Sequence, residues 1–394
     1  MLYLRSTSFL LLLGLLTLFS CQARTNEKHI ELSLGCERFE EYIPQLLNKR
    51  VGVLVNHTSL IDSTHLIDTL LAKNIAVTKI FAPEHGFRGT ADAGEHINSD
   101  VDALTGLPVI SMYGKSKKPS AESLADLDVV IFDIQDVGVR FYTYISSMHY
   151  MMEACAENNV RFIVLDRPNP NGDYFDGPVL DTAFQSFVGM HPIPVVHGLT
   201  VGELALMINN EYWLNDSVQC DLEVIEMLNY THKLSYSLPV KPSPNLPNDI
   251  SIRLYPSLCF FEATTVSIGR GTYMPFQVIG YPDSCMGEFS FVPKSIEGMS
   301  KHPPQKGLTC YGLDLRQEEL SHQFTLSYFL QFLNACVEQD EILTNERWFN
   351  LLAGNNRLLE KVNSAWTEQE IVESWQEELE AYSQLRNKYL LYPN

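Results

Sequence analysis

Within the nine residues Phe81-Ala82-Pro83-Glu84-His85-Gly86-Phe87-Arg88-Gly89, the chain sets a carboxylate, an imidazole and a guanidinium among turn formers. A connecting loop needs only residues that let the backbone turn. Groups that titrate or carry fixed charge point to catalysis or ligand binding, beside the plainer alternative of a well hydrogen-bonded loop. Glu95 follows shortly, and Asp133 and Asp136 lie in Phe132-Asp133-Ile134-Gln135-Asp136-Val137-Gly138-Val139-Arg140. Two carboxyl groups across a cleft, one kept protonated by an apolar or like-charged setting, are the usual equipment for cleaving a glycosidic bond. Arg140 and Arg270 would add cationic charge, which an anionic sugar would use.

A second polar cluster comes later, with Glu262 in Phe261-Glu262-Ala263-Thr264-Thr265 and then Gly269-Arg270-Gly271-Thr272. Glycines on either side let the backbone approach a partner closely while a planar guanidinium is presented, and that fork suits a carboxylate. The same residues also suit a tight turn with a solvated arginine. Between the clusters, Pro239, Pro242, Pro244 and Pro247 make a stiff extended crossing. Asn245 within it is either a ligand contact or an ordinary turn residue.

The elements that must position these groups read as alternating strands and helices. Val51 to Val55, Ala76 to Phe81, Pro108 to Met112, Asp128 to Ile134 and Val160 to Leu165 are short apolar runs of strand type. Leu60 to Lys73 has helical spacing. So does the stretch carrying Phe141, Tyr144, Ile145, Met148, Met151, Met152 and Cys155, a stripe that reads as core. Thr200 with Glu203 three residues on forms a capping box that opens a helix to Trp213. This order predicts an α/β fold with a parallel sheet and helices on both faces. Ligands of such sheets bind at the carboxyl ends of the strands. Those ends here read Asn56-His57-Thr58, Glu84-His85, Tyr113-Gly114, Asp133 to Asp136 and Asp166-Arg167-Pro168-Asn169, all polar or hydrogen-bonding. Phe276 to Tyr281, Phe289 to Pro293 and Leu308 to Leu315 read as further strands. Phe324 to Val337, Arg347 to Leu352 and Glu368 to Leu391 read as amphipathic helices.

Composition removes several function classes. With 48 acidic against 28 basic residues, a polyanion such as nucleic acid is a poor partner. No G-x-G-x-x-G or G-x-x-x-x-G-K-[ST] announces a nucleotide, no G-x-S-x-G a serine nucleophile, and no H-E-x-x-H a metal, so no cofactor is expected. Cys36, Cys155, Cys220, Cys259, Cys285, Cys310 and Cys336 are scattered without C-x-x-C spacing and read as small core residues. The chain opens with Arg5, an apolar stretch and Leu18-Phe19-Ser20-Cys21, which resembles a lipoprotein signal. It predicts export and lipidation at Cys21, a plain secretory signal being the alternative. Residues 22–50 then lead into one domain over 51–250 and a second over 251–394.

Taken together, Pro83-Glu84-His85-Gly86-Phe87-Arg88-Gly89, Asp92-Ala93-Gly94-Glu95, Thr105-Gly106-Leu107-Pro108-Val109, Phe132 to Tyr144, Leu165-Asp166-Arg167-Pro168-Asn169-Pro170 and Gly269-Arg270-Gly271-Thr272 resemble the NamZ family of exo-β-N-acetylmuramidases, long catalogued as a domain of unknown function. The resemblance runs from about Gly52 to the C-terminus. It implies a Rossmann-like N-terminal domain, a smaller α/β C-terminal domain and a cleft between them that releases N-acetylmuramic acid from the non-reducing end of peptidoglycan fragments. It also implies Glu84 as the catalytic residue. Asp133 or Asp136 would then be the second carboxylate or orient the first, Arg140 and Arg270 would meet the lactyl carboxylate, and His85, Arg88, Glu95, Asn245 and Glu262 would contact substrate. A non-catalytic lipoprotein that binds muropeptides or other carbohydrate, and an amide or ester hydrolase of the wall, are the competing readings.

Overall fold

The computed structural model describes residues 31–84, 87, 100–114, 117–318, 323–335 and 342–394. Apolar runs become strands where both faces can be covered. The strands are β1 (Val51–Val55), β2 (Leu60–Ile61), β3 (Thr64–His65), β4 (Val77–Ala82), β5 (Asp100–Val101), β6 (Pro108–Ser111), β7 (Val129–Asp133), β8 (Arg161–Leu165), β9 (Leu222–Ile225), β10 (Val278–Tyr281), β11 (Phe289–Phe291) and β12 (Cys310–Asp314). The main sheet has the order β5-β6-β4-β1-β7-β8-β9. All its neighbours pair in parallel except the β5 edge, which runs antiparallel to β6. Numbered among themselves, its six parallel strands run 3-2-1-4-5-6, the doubly wound order whose direction reverses between β1 and β7.

Successive residues of a strand point to opposite faces, and the sheet divides its apolar side chains accordingly. Leu54, Phe81, Phe132, Phe162 and Val164 enter one core, while Val53, Val55, Ile80, Ile131 and Leu165 enter the other. Helices α1 (Phe39–Leu46) and α2 (Leu66–Ala72) cover the second face through Tyr42, Leu46, Ile67 and Leu70. The first face is covered, after the short helix α3 (Ala121–Leu124), by α4 (Tyr144–Asn158) and α5 (Val201–Asn210). Met148, Met151, Met152 and Cys155 of α4 are all buried there, as their spacing predicts. Thr200 caps α5 with the Glu203 capping box read from the sequence.

That first core continues into the later half of the chain. Phe260, Phe261, Phe329 and Phe349 belong to the same cluster as Phe132 and Met148, and residues Leu32–Asn394 pack as one compact unit. Within it, β10, β12 and β11 form a small antiparallel sheet. Each fully buried phenylalanine contributes roughly 1.5–3 kcal/mol relative to exposure, so the two halves share one apolar core.

Three local expectations change. Leu60 to Lys73 is not one helix but the β2–β3 hairpin followed by α2, because His65 is the N-cap of α2, its ring accepting from the Ile67 N–H, and the chain ahead of it pairs back on itself. Glu368 to Leu391 divides at Ser374 and Trp375 into Glu368–Glu373 and Gln376–Arg386. Cys36, Cys155, Cys220, Cys259 and Cys310 are buried thiols, but Cys285 is disulfide-bonded, a pairing that scattered cysteines do not announce.

Candidate active site

A cavity of about 630 Å³ lies beyond the carboxyl ends of β4 and β6 and at the start of α4. Glu84 reaches it two residues beyond β4, Tyr113 two residues beyond β6, and Thr143 and Tyr144 where the chain leaves β7 and α4 begins. From the later half come Asn245, Glu262, Arg270 and Trp348. Residues far apart in sequence therefore face one volume, and the shared core fixes their separation.

Glu84 is held from the α4 side, where the Thr143 hydroxyl donates to its Oε2 at 3.2 Å. The Tyr113 hydroxyl also bonds to it, and burial first, then the Glu84 charge, raise the Tyr113 pKa. The floor is aromatic and fixed. Phe141 meets the Tyr255 ring edge-on at 5.3 Å. Tyr142 donates its hydroxyl to the Pro242 carbonyl at 2.7 Å, which pins the proline-rich crossing to the floor. On the far wall Arg270 pairs with Glu262 at 2.5 Å and lies 5.2 Å over the Phe276 ring. Gly269 and Gly271 both have φ of +79°, and a Cβ on them would come within 2.4 Å of the Met274 carbonyl and 2.5 Å of the Lys294 carbonyl. Only glycine satisfies both the left-handed backbone and the close approach that present Arg270. Asn245 is 2% exposed; its amide nitrogen donates to the Met299 carbonyl at 3.0 Å, and its Oδ1 has no partner.

Glu84, Asn245, Glu262 and Arg270 thus line the cavity, while three other residues assigned to the site from sequence do not. Asp133 is fully buried and accepts from Arg167 at 2.5 and 2.9 Å. It pairs with that guanidinium and is not among the residues lining the cavity, where a catalytic carboxylate was expected. Asp136 accepts from the Gly138 amide at 2.7 Å and lies 3.9 Å from His197. Burial pushes its carboxyl up to about 7 and the His197 imidazole down to about 3, so the two face each other uncharged over a wide pH range. Arg140, expected at a substrate carboxylate, is 0% exposed and donates to the carbonyls of Pro178, Ile193 and Leu352 at 2.7 to 2.8 Å. The backbone N–H of Arg140 also bonds the Val195 carbonyl, at 2.8 Å. His85, Arg88, Glu95 and Cys21 lie outside the described residues.

Tyr113, named in the sequence only as a strand end, lines the cavity, and sequence reasoning missed Thr143, Tyr144, Lys117 and Trp348, which line it too. The signal for the first pair was the polar Thr143 inside Phe141-Tyr142-Thr143-Tyr144, an aromatic run that reads as the head of a core stripe. Among the described residues no group of three or more His, Cys, Asp or Glu side chains is placed to hold a metal ion.

Residues 51–250 match the family model "Exo-beta-N-acetylmuramidase NamZ, N-terminal", and residues 253–392 match its C-terminal counterpart. The chain is 39% identical over 376 residues to the peptidoglycan β-N-acetylmuramidase NamZ of Bacillus subtilis (strain 168), covering 89% of each. Two crystal structures of DUF1343 family proteins from Bacteroides fragilis NCTC 9343 are similar in fold. One has a TM-score of 0.85 at 43% identity, the other 0.74 at 31%, and each comparison covers 92% of this chain and 99% of the other.

Proposed function

The chain belongs to the NamZ family of exo-β-N-acetylmuramidases, and from that premise we propose that it is a glycosidase releasing N-acetylmuramic acid from the non-reducing end of peptidoglycan fragments, with Glu84 donating the proton to the departing sugar. The observation that carries the role of Glu84 is its position. It is the carboxylate at the strand end that meets the aromatic floor, with the Thr143 hydroxyl fixing one oxygen and Tyr113 beside it. A carboxyl so held is aimed at one point of the cavity, the fixed geometry that general acid catalysis needs. The far wall supplies charge complementary to the lactyl carboxylate that distinguishes muramic acid from glucosamine. Lys117 lines the cavity beside the Phe187 ring, 4.2 Å from its centroid, and Arg270 lines the same cavity. Because Arg270 already carries Glu262, Lys117 supplies the net positive charge that an added carboxylate meets there.

The test is release of a chromophore from a β-linked N-acetylmuramic acid glycoside by the purified protein, beside the matching N-acetylglucosamine glycoside. Turnover of the muramic glycoside, reduced on the order of a hundredfold or more in Glu84→Gln, is expected. Tight binding of the muramic glycoside without turnover would replace the enzyme with a carbohydrate-binding protein. Lipid attachment at Cys21 and an exported location belong to the same proposal and rest on the N-terminal sequence.

A further inference from the structure

A glycosidase that acts through one positioned acid still requires a group to meet the positive charge that develops at the anomeric carbon. Among the described residues, the carboxylates lining the cavity are Glu84 and Glu262, and Glu262 is committed to Arg270. Asp133 and Asp136 are buried away from it. The cavity instead holds two buried polar atoms of complementary kind. Tyr144 lines it, is 2% exposed, and its hydroxyl makes no well-aligned hydrogen bond, although Asn56 and Tyr142 lie beside it. Its ring is fixed, meeting Tyr142 edge-on at 4.9 Å. Asn245 lines the same cavity and leaves its Oδ1 without a donor.

A buried hydroxyl or amide oxygen left unpaired is costly, and native proteins keep few of them outside sites where a ligand completes the bond. Here one atom can donate and the other can only accept. An amide offers the reverse, one carbonyl and one N–H. Burial, then the nearby Glu84 charge, raise the phenol pKa of Tyr144, so the hydroxyl keeps its proton and remains a donor.

Resting on the exo-muramidase reading, we propose that Tyr144 and Asn245 hold the 2-acetamido group of the substrate, and that this group supplies the second catalytic function. Tyr144 donates to the acetamido carbonyl and Asn245 accepts its N–H. As the bond from the anomeric carbon to the glycosidic oxygen breaks, that oxygen takes the proton of Glu84. The acetamido oxygen closes on the anomeric carbon to give a five-membered oxazolinium ring, and the remaining sugar leaves as an alcohol. Water then attacks the same carbon, gives a proton to the Glu84 carboxylate, and the ring opens to restore the amide. The sum is one water added across one glycosidic bond, with two displacements and therefore retention of configuration.

The experiment uses the unmodified enzyme with chromogenic β-glycosides of muramic acid carrying N-acetyl, N-difluoroacetyl and N-trifluoroacetyl groups. Fluorine weakens the carbonyl as a nucleophile, so kcat/KM is expected to fall on the order of a hundredfold across the series, as when a reacting group is disabled. Proton NMR at early times is expected to show the β-anomer. Tyr144→Phe, which keeps the ring, is expected to lower kcat at least about tenfold with KM within about threefold. A flat fluorine series with normal turnover of the N-acetyl substrate, or release of the α-anomer, overturns this inference and leaves the exo-muramidase reading standing. A steep series with full activity in Tyr144→Phe overturns the assignment of Tyr144. Absence of turnover on the N-acetyl glycoside itself overturns both.

Discussion

Replacing Arg140 with methionine separates the two roles that its sequence position allows. In the structure the guanidinium makes three hydrogen bonds to carbonyls of Pro178, Ile193 and Leu352, which come from three separate segments. Charge-assisted bonds of this kind contribute about 1.5–3 kcal/mol each, so the set holds roughly 5–9 kcal/mol. Against this stands the cost of burying a cation that no carboxylate neutralises. Burial pushes the guanidinium pKa down to about 9. At about 1.4 kcal/mol per tenfold change in acidity, that is a cost of roughly 5 kcal/mol. Methionine removes both contributions, refills much of the volume and leaves the buried carbonyls without that donor, so Arg140→Met is expected to lose at least about 2 kcal/mol of stability. Urea unfolding followed by tryptophan fluorescence reads the loss, and KM for the muramic glycoside is expected to stay within about threefold. Unchanged stability together with a KM raised about tenfold or more would refute the structural role and return Arg140 to the substrate.

Asp136 gives a prediction in pH. Its carboxyl is raised on folding from an ordinary 3.8 to about 7, so the folded state binds this proton more tightly. Its contribution therefore falls as pH rises between those two values and is level above about 7. Asp136→Asn, which keeps the acceptor for Gly138, is expected to exceed the parent in stability by up to about 4 kcal/mol near pH 8 and to lose most of that advantage near pH 4. A difference independent of pH would refute the buried carboxyl, and loss of activity at constant stability would restore Asp136 to the chemistry. Cys21→Ala is expected to move the protein from the membrane fraction to the soluble fraction of cells, and continued sedimentation with membranes would refute the lipid anchor.

The parallel strands were legible because burial on both faces makes them apolar runs, and the Met stripe of α4 was legible because its spacing has one period. β9 was harder to see. Leu222, Glu223 and Val224 are only partly buried at the sheet edge, so the run lacks the apolar continuity of β7. At the site, the segment that carries Glu84 was legible because charged residues stood where turn formers suffice. Asp133, Asp136 and Arg140 share a segment with cavity-lining neighbours, but whether a strand-end side chain points out or in depends on partners distant in sequence. Asp133 needed Arg167, and Arg140 needed carbonyls as far away as Leu352. Tyr144 shows the converse, an apparent core residue that also lines the cavity.

The core shared by the two halves has a consequence for how substrate is met. Phe141, Tyr255, Phe260 and Phe276 interlock through ring contacts between 5.0 and 6.0 Å, and these side chains or their immediate partners form the floor under the cavity. A hinge motion that opened and shut the halves would have to break this aromatic packing at every turnover. The enzyme is therefore built as a preorganised receptor rather than a clamp, paying its ordering entropy once, at folding. Discrimination among sugars then rests on fit to a standing shape. The described part of the cavity is already shaped before a sugar arrives.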